Sequence, residues 1–194
     1  MPKSPLLTPT SPSWTAAVME NFNEFLQDHA AAEKKASGMA MSMVSHYPDR
    51  IELVAAMADL AIEELSHYRE VVKWIHQRGL HTTADSKDHY VLAFRKAMRQ
   101  GADPEAYLLD RLLTASIIEA RGAERFALVA NALEDGPLKK FYHSIARSEE
   151  RHYTLFLDLA GLYLPQQDIE ARWDELLAAE AEIVARLPIR AALH

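Results

Sequence analysis

Apolar residues recur along this chain at intervals of three and four, which is the spacing of one face of an α-helix. No segment sustains an alternation of apolar and polar residues with a period of two, so the pattern predicts no β-sheet. Helix breakers are sparse, because only 6 Gly and 9 Pro occur in 194 residues and four of the prolines fall within the first twelve. The pattern therefore predicts an all-α protein in which residues 1–13 form an extended Pro-rich arm and residues 14–194 a single helical domain.

The helix boundaries are predicted from capping residues, glycines and prolines. Asp49 and Asp103 are expected to cap the helices that follow them, and Gly79 to end the helix that begins at Asp49. The first helix is expected to break near residues 21–23 and to stop before Pro48, since the residue before a proline avoids the helical conformation. The predicted helices span residues 14–46, 49–79, 85–100, 103–135, 137–161 and 168–187.

Four glutamates stand where the apolar face of a helix is predicted. The residues at helical repeats from each of them are mainly aliphatic or aromatic, so each carboxylate points at the core. A carboxylate buried without a partner costs several kcal/mol or takes up a proton, so four of them in one interior require cations. These glutamates are Glu33, Glu64, Glu119 and Glu149, and two of them are followed three residues later by a histidine on the same face, His67 and His152.

This set matches the ligands of a dinuclear metal site in a four-helix bundle, which takes one Glu from each of two helices and Glu-x-x-His from each of two others. Glu33 precedes Glu64 by 31 residues and Glu119 precedes Glu149 by 30, so two helical hairpins of nearly equal length carry matching residues. The link between the hairpins resembles the single long crossover of ferritin-like bundles. The prediction is a ferritin-like four-helix bundle with an extra helix in the crossover and an additional C-terminal helix.

Neighbouring acidic residues and histidines offer alternatives. Glu124 could replace Glu119, although Arg121 lies on its face, and His29 is interpreted as a core histidine or a partner of a ligand. Glu63 and Glu150 lie about 100° from the proposed ligands and are interpreted as surface or salt-bridge residues. Core packing is expected for Tyr142, Tyr153, Met39, Met41 and Met43, and exposure to solvent for His46, His76, His81, His89, His143 and His194.

The composition narrows both the chemistry and the setting. The chain has no cysteine, which excludes disulfides and any zinc or iron–sulfur site built on thiolates. No uninterrupted apolar run exceeds six residues, against the roughly 20 that a membrane span needs, and no signal-peptide apolar region is visible. We therefore expect a cytoplasmic protein without a membrane partner.

The charge is negative overall but unevenly distributed. Against 28 acidic residues the chain has 21 Lys and Arg, a net charge of −7 that argues mildly against general nucleic-acid binding. Residues 69–99 hold seven basic and three acidic residues, a local charge of +4, whereas residues 168–186 have a local charge of −4. The basic stretch is either a solvated helix face or a surface for an anionic partner.

Four segments of the chain resemble a known family, the MiaE-type tRNA hydroxylases. The segments are DHAAAEKKAS (28–37), EELSHYREV (63–71), IIEARGAERF (117–126) and SEERHYTLF (148–156), and the resemblance extends over essentially the whole chain. Members of that family often carry cysteines where this chain has Ala32 and Ala123, neither of which is a proposed ligand. The family consists of ferritin-like non-haem diiron monooxygenases.

The resemblance implies hydroxylation of the isopentenyl group of 2-methylthio-N6-isopentenyl adenosine in the tRNA anticodon loop, with O2 as co-substrate. It implies two iron ions, in preference to manganese, with Glu33 and His67 on one iron, Glu119 and His152 on the other, and Glu64 and Glu149 bridging. No dinucleotide fingerprint or cysteine cluster is present, so an external electron donor or reductase is expected. The basic stretch at residues 69–99 would then contact tRNA phosphates.

Two other classes of protein remain open. A ferroxidase or other iron-handling protein would use the same ligands without binding RNA. A metal-free helical bundle that binds proteins would leave four carboxylates in the core without cations, which disfavours that class.

Overall fold

A computed structural model describes residues 4–99 and 103–194. Within these residues all regular secondary structure is helical, which confirms the all-α prediction. No described helix combines the length and the apolar composition that a membrane crossing requires. The helices are α1 (Pro12–Glu20), α2 (Phe22–His46), α3 (Ile51–Gln77), α4 (His89–Ala97), α5 (Pro104–Ala132), α6 (Pro137–Tyr163) and α7 (Gln166–Arg186).

The chain divides into two compact units. One comprises Ala16–Ser86 and Arg190–Leu193 and is called here the α2/α3 unit. The other comprises Met1–Thr15, Lys87–Ile189 and His194 and is called the α5/α6 unit. Each unit contains one of the two predicted hairpins.

The α2/α3 unit is a pair of helices packed along their length. Both helices bury large apolar side chains, among them Leu26 and Met43 from α2 and Met57 from α3. The hydroxyl of Ser37 also donates to the carbonyl of Ala61, 3.0 Å away, which fastens the middle of α2 to α3. This packing fixes the register in which the two helices present their polar residues.

The ends of these helices test the capping predictions. The predicted break is confirmed at Asn21, which separates α1 from α2. Gly79 has a φ of 72° and Leu80 N–H donates to the carbonyl of Ile75 at 3.2 Å, the left-handed termination expected of a glycine after a helix. The prediction that Asp49 caps α3 is wrong, because α3 begins at Ile51 and the Asp49 carboxylate instead lies 3.7 Å from the Arg50 guanidinium.

The α5/α6 unit contains the second hairpin together with α4 and α7. α5 and α6 pack along their length, and α7 packs against α4, α5 and α6. Asp103 caps α5 as predicted, since its carboxylate accepts from the backbone N–H groups of Glu105 and Ala106. α4 is shorter than the predicted helix and begins only after Asp88, which caps it; the predicted end at Gln100 lies outside the described residues.

Both ends of the chain contact the α5/α6 unit through buried polar groups. Arg121, fully buried on α5, donates to Glu180 of α7 at 2.8 and 3.0 Å and to the carbonyl of Thr8 in the arm at 2.8 Å. His194 stacks on Tyr90 with 4.8 Å between ring centroids. The prediction that His194 is solvated is therefore wrong, because a contact between residues distant in sequence covers its ring.

Candidate metal centre

In the α2/α3 unit three of the predicted ligands meet on the buried face of the helix pair. One ligand atom from each of Glu33, Glu64 and His67 lies within 4.8 Å of the others. His67 Nδ1 is 3.5 Å from both Glu33 Oε2 and Glu64 Oε2. Both carboxylates are almost fully buried, at 3% and 1% exposure, so their charges are compensated inside the protein rather than by water. We call these three residues the α2/α3 cluster.

The two carboxylates control the protonation of His67. Burial on its own would lower the pKa of His67, but the hydrogen bonds and charges of Glu33 and Glu64 outweigh it and raise the pKa to about 9. In the metal-free protein a proton on His67 therefore supplies the positive charge that the carboxylates require. A metal cation would supply that charge instead, and the imidazole would then be neutral and able to ligate.

His29 lies one turn before Glu33 and contacts the same cluster. Its Nε2 is 2.6 Å from Glu33 Oε1. Burial, with a smaller contribution from the positive charge of His67, lowers the pKa of His29 to about 3, so this ring is neutral at pH 7. A neutral ring that donates Nε2–H to Glu33 holds one carboxylate oxygen and leaves the other directed at the cluster.

Glu63 stands at the outer side of the α2/α3 cluster. Its Oε1 is 3.8 Å from Nε2 of His67, the ring nitrogen that does not face Glu33 and Glu64. The side chain is 38% exposed, in keeping with the predicted salt-bridge position. The contact sets a carboxylate behind His67, an arrangement that orients ligating histidines in many metal proteins.

In the α5/α6 unit the other three predicted ligands meet in the same way. One ligand atom from each of Glu119, Glu149 and His152 lies within 4.8 Å of the others, and all three residues are buried. His152 Nδ1 is 3.8 Å from Glu149 Oε2. We call these residues the α5/α6 cluster. Its composition, two carboxylates and one imidazole, is that of the α2/α3 cluster.

Gly122 on α5 lies directly beside Glu149, a contact that the sequence pattern did not predict. A methyl group at this position would lie 3.6 Å from Glu149 Oε2 and 3.7 Å from its Cγ. A glycine inside a helix lowers helix stability by about 1 kcal/mol relative to alanine. Its presence within the helical pattern of α5 is the one sign in the sequence that this position has a special neighbour. The residue without a side chain therefore stands where α5 lies against the Glu149 carboxylate of α6.

The remaining alternatives have other partners. Glu124 accepts hydrogen bonds from the backbone and hydroxyl of Thr10, at 3.0 and 2.6 Å, and from Arg121, so its carboxylate is used to hold the arm. Tyr142 is fully buried and packs against Phe126, as expected for a core residue. The core prediction for Met41 is wrong, because 47% of this residue is exposed. Tyr153 is half-buried beside Trp173, and burial raises its pKa.

The donors in each cluster fit a divalent transition metal. Carboxylate oxygens and imidazole nitrogen suit iron or manganese better than a soft metal. Two carboxylates per cluster also balance one divalent cation, which removes the cost of burying them without a counter-charge. Each cluster therefore has the donors and the charge that one divalent ion would require.

Comparison with known proteins gives matches over nearly the whole chain. The family model described as tRNA-(MS2IO6A)-hydroxylase (MiaE) matches residues 2–194. The chain is 36% identical over 177 residues to a Pseudomonas putida protein named tRNA 2-(methylsulfanyl)-N(6)-isopentenyladenosine(37) hydroxylase, covering 91% of this chain and 84% of that protein. A Salmonella typhimurium protein of the same name is 33% identical over 157 residues, which are 81% of this chain and 56% of that protein.

A solved structure has the same fold. It is titled "Protein 43 with aldehyde deformylating oxygenase activity from Synechococcus" and superposes with a TM-score of 0.89 at 34% sequence identity. The match covers 96% of this chain and 92% of that one. The predicted ferritin-like helical fold is confirmed by this likeness together with the all-helical structure.

Proposed function

This chain belongs to the MiaE family of tRNA hydroxylases, and we propose that it hydroxylates the isopentenyl group of 2-methylthio-N6-isopentenyl adenosine in tRNA as a diiron monooxygenase. The observation that carries the proposal is the pair of matching buried clusters. Each unit presents two carboxylates and one histidine from two packed helices, the ligand set of a carboxylate-bridged dinuclear site.

The six residues would hold the two iron ions. Glu33 and His67 would ligate one ion, Glu119 and His152 the other, and Glu64 and Glu149 would bridge them. Four carboxylates would balance two divalent ions in charge, so the reduced site would be neutral. Mn²⁺ would fit the same donors, and iron is proposed because O2 activation needs a metal that changes its oxidation state readily.

When bound, two ferrous ions supply the electrons that activate O2 for insertion into a C–H bond. The overall reaction converts R–H, O2, two electrons and two protons into R–OH and water. The electrons come from an external reductant, because the chain has no cysteine for an iron–sulfur cluster. The chain itself positions and shields the site: His29 orients Glu33, and buried apolar residues such as Phe126 exclude water from the helix faces that carry the ligands.

The experiment is oxygen labelling of the tRNA product. Protein loaded with ferrous iron is given a reductant, 18O2 and tRNA from cells that lack the hydroxylase, and the nucleosides are analysed by mass spectrometry. We expect one 18O atom in the isopentenyl group, and none when only the water is labelled. Label from water would contradict the monooxygenase mechanism. If the protein instead oxidised excess ferrous iron rapidly and left the tRNA without the added oxygen, a ferroxidase would be favoured.

A further inference from the structure

Most cations of the basic stretch at residues 69–99 have partners in the structure. Lys73 lies 2.6 Å from Glu70, and Arg69 lies 3.8 Å from the same carboxylate. Arg99 donates to buried Asp110 through both its backbone and its side chain. Arg69, Lys73 and Arg99 thus share their charge with acidic side chains of the protein, which leaves less of it for a phosphate.

The outer face of α6 carries a set of exposed cations at regular spacing. Lys140, Arg147 and Arg151 are exposed and are spaced by seven and four residues, which places them within about 40° of one another around the helix. From the first to the last the stripe rises about 16 Å. Within the part of the chain that the structure describes, Lys140 and Arg147 form no ion pair with an acidic side chain. We call these three residues the α6 stripe.

Hydrogen bonds along the helix hold the third cation of the stripe. The guanidinium of Arg151 donates to the carbonyl of Arg147 at 3.2 Å and to the hydroxyl of Ser148 at 2.9 Å. Both contacts lie on its own helix, so the side chain runs along α6 toward Arg147. Acidic residues bound the stripe: Glu150 lies about 80° to one side, and Asp158 lies on the same line two turns further.

The chemistry of this face favours a phosphate backbone over a protein partner. Between Lys140 and Arg151 the line of the stripe presents the polar side chain of Ser144, and the exposed Leu162 lies about three turns beyond Arg151. A protein interface normally has a core of aromatic or aliphatic anchors, which the stretch between the three cations lacks. Lys and Arg spaced along one line supply the sequence-independent contacts by which proteins hold nucleic-acid phosphates.

We propose that the α6 stripe binds the phosphate backbone of the tRNA substrate, an inference that rests on the proposed function. Glu149 lies about 200° around α6 from both Arg147 and Arg151, so the stripe and the α5/α6 cluster occupy opposite faces of one helix. Since a helix with its side chains is about 10 Å across, the stripe contacts phosphates remote from the nucleotide being modified. It contributes affinity and orientation, whereas the chemistry belongs to the other face.

The test is the salt dependence of tRNA binding by a variant that carries Lys140→Gln, Arg147→Gln and Arg151→Gln. Its Kd for tRNA should rise on the order of tenfold or more, and the slope of log K against log salt should become shallower by about three, one for each cation removed, because fewer counterions are released. Lys140→Gln and Arg147→Gln alone should each reduce the slope by about one. Iron content and melting temperature report whether each variant is intact.

A matched control removes three charges from cations that are paired. Arg50, Lys73 and Arg186 lie 3.7, 2.6 and 3.0 Å from acidic side chains, so the variant with Gln at these three positions should bind tRNA with nearly the wild-type Kd and slope. Equal losses in both triple variants would trace the effect to net charge and overturn the proposal. Binding of tRNA by the stripe variant with the wild-type Kd would also overturn the proposal. So would a stripe variant that binds tRNA normally but no longer accepts electrons from an acidic donor protein. A wild-type protein that does not bind tRNA would contradict the proposed function itself.

Discussion

His29 Nε2 lies 2.6 Å from Glu33 Oε1, and the two side chains, one turn apart on α2, are both buried. Because the ring is neutral, the contact is a hydrogen bond from an imidazole N–H to a carboxylate rather than an ion pair. This hydrogen bond fixes the rotamer of Glu33 before any metal arrives. His29 is therefore a positioning residue for one proposed ligand.

Replacing His29 by Leu should weaken iron binding while the helices remain folded. The Glu33 carboxylate would lose its donor in a buried place, and loss of such a partner typically reduces metal affinity by 10–100-fold. Competition between the protein and a chelator measures the affinity, and circular dichroism measures the helix content. His29→Gln retains an N–H donor and should recover part of the affinity. Equal affinity in the Leu variant and the wild type would show that His29 only fills space.

The proposed bridging residues can be separated from their neighbours in sequence. Glu64→Ala or Glu149→Ala should remove most of the iron, because each carboxylate would serve both ions. Glu150→Ala should leave close to two iron atoms per chain, since Glu150 points away from the α5/α6 cluster and is half-exposed. The measurement is the number of iron atoms per chain after loading, by atomic absorption, and it separates the proposed bridging residues from their neighbours. Equal iron loss in Glu149→Ala and Glu150→Ala would contradict the assignment of faces.

Local periodicity was sufficient to predict the helices and the faces of the six proposed ligands. Glu64 and His67 fall on one face because helical geometry dictates it, and Asp103 caps α5 through contacts within three residues. Such features depend on neighbours in sequence. The prediction was therefore good where the determining contacts are local.

Contacts between distant residues could not be predicted in this way. Asp49 looks like a cap, yet the turn from Tyr47 to Arg50 moves the start of α3 to the following residue. His194 has no local pattern, and its position depends on Tyr90, a residue of another element. Gly122 appeared to be a weak point in a helix until the carboxylate of Glu149 was found beside it. In each case the tertiary partner determined the outcome.

The space beside Gly122 predicts opposite effects for two substitutions. Gly122→Ala should raise the free energy of unfolding by about 1 kcal/mol, because alanine favours the helix interior and its methyl group meets Glu149 at an ordinary contact distance of 3.6 Å. Iron binding should persist. Gly122→Val adds branches at a position that faces the carboxylate and should displace it, with loss of iron. Urea unfolding of the metal-free proteins and iron per chain are the measurements. A Val variant with full iron content would show that the space is not needed.

The last prediction concerns Asp110, a buried carboxylate on α5 that lies outside both metal clusters. It accepts from Arg172 at 2.8 and 2.9 Å and from the backbone and side chain of Arg99 at 2.6 and 2.8 Å. Burial alone would raise the pKa of Asp110, but the hydrogen bonds from Arg172 and Arg99 outweigh it and hold the pKa below its usual value of 3.8. The carboxylate thus ties α5 to α7 and to the segment that follows α4.

Asp110→Asn should lower the free energy of unfolding at pH 7 by roughly 2 kcal/mol, less than the 3–5 kcal/mol of fully buried pairs because the guanidinium groups keep contact with water. The folded pKa lies below the unfolded one, so the stabilisation is complete above about pH 4 and is lost as the pH falls through the folded value. The difference between wild type and variant in urea unfolding should therefore stay constant down to about pH 4 and shrink as the pH falls further. Asp135→Asn is the control, since Asp135 pairs with Lys139 on the surface and should show a much smaller difference. A gap for Asp110→Asn that stays constant with pH would mean that packing of the side chain, and not its charge, links the two helices.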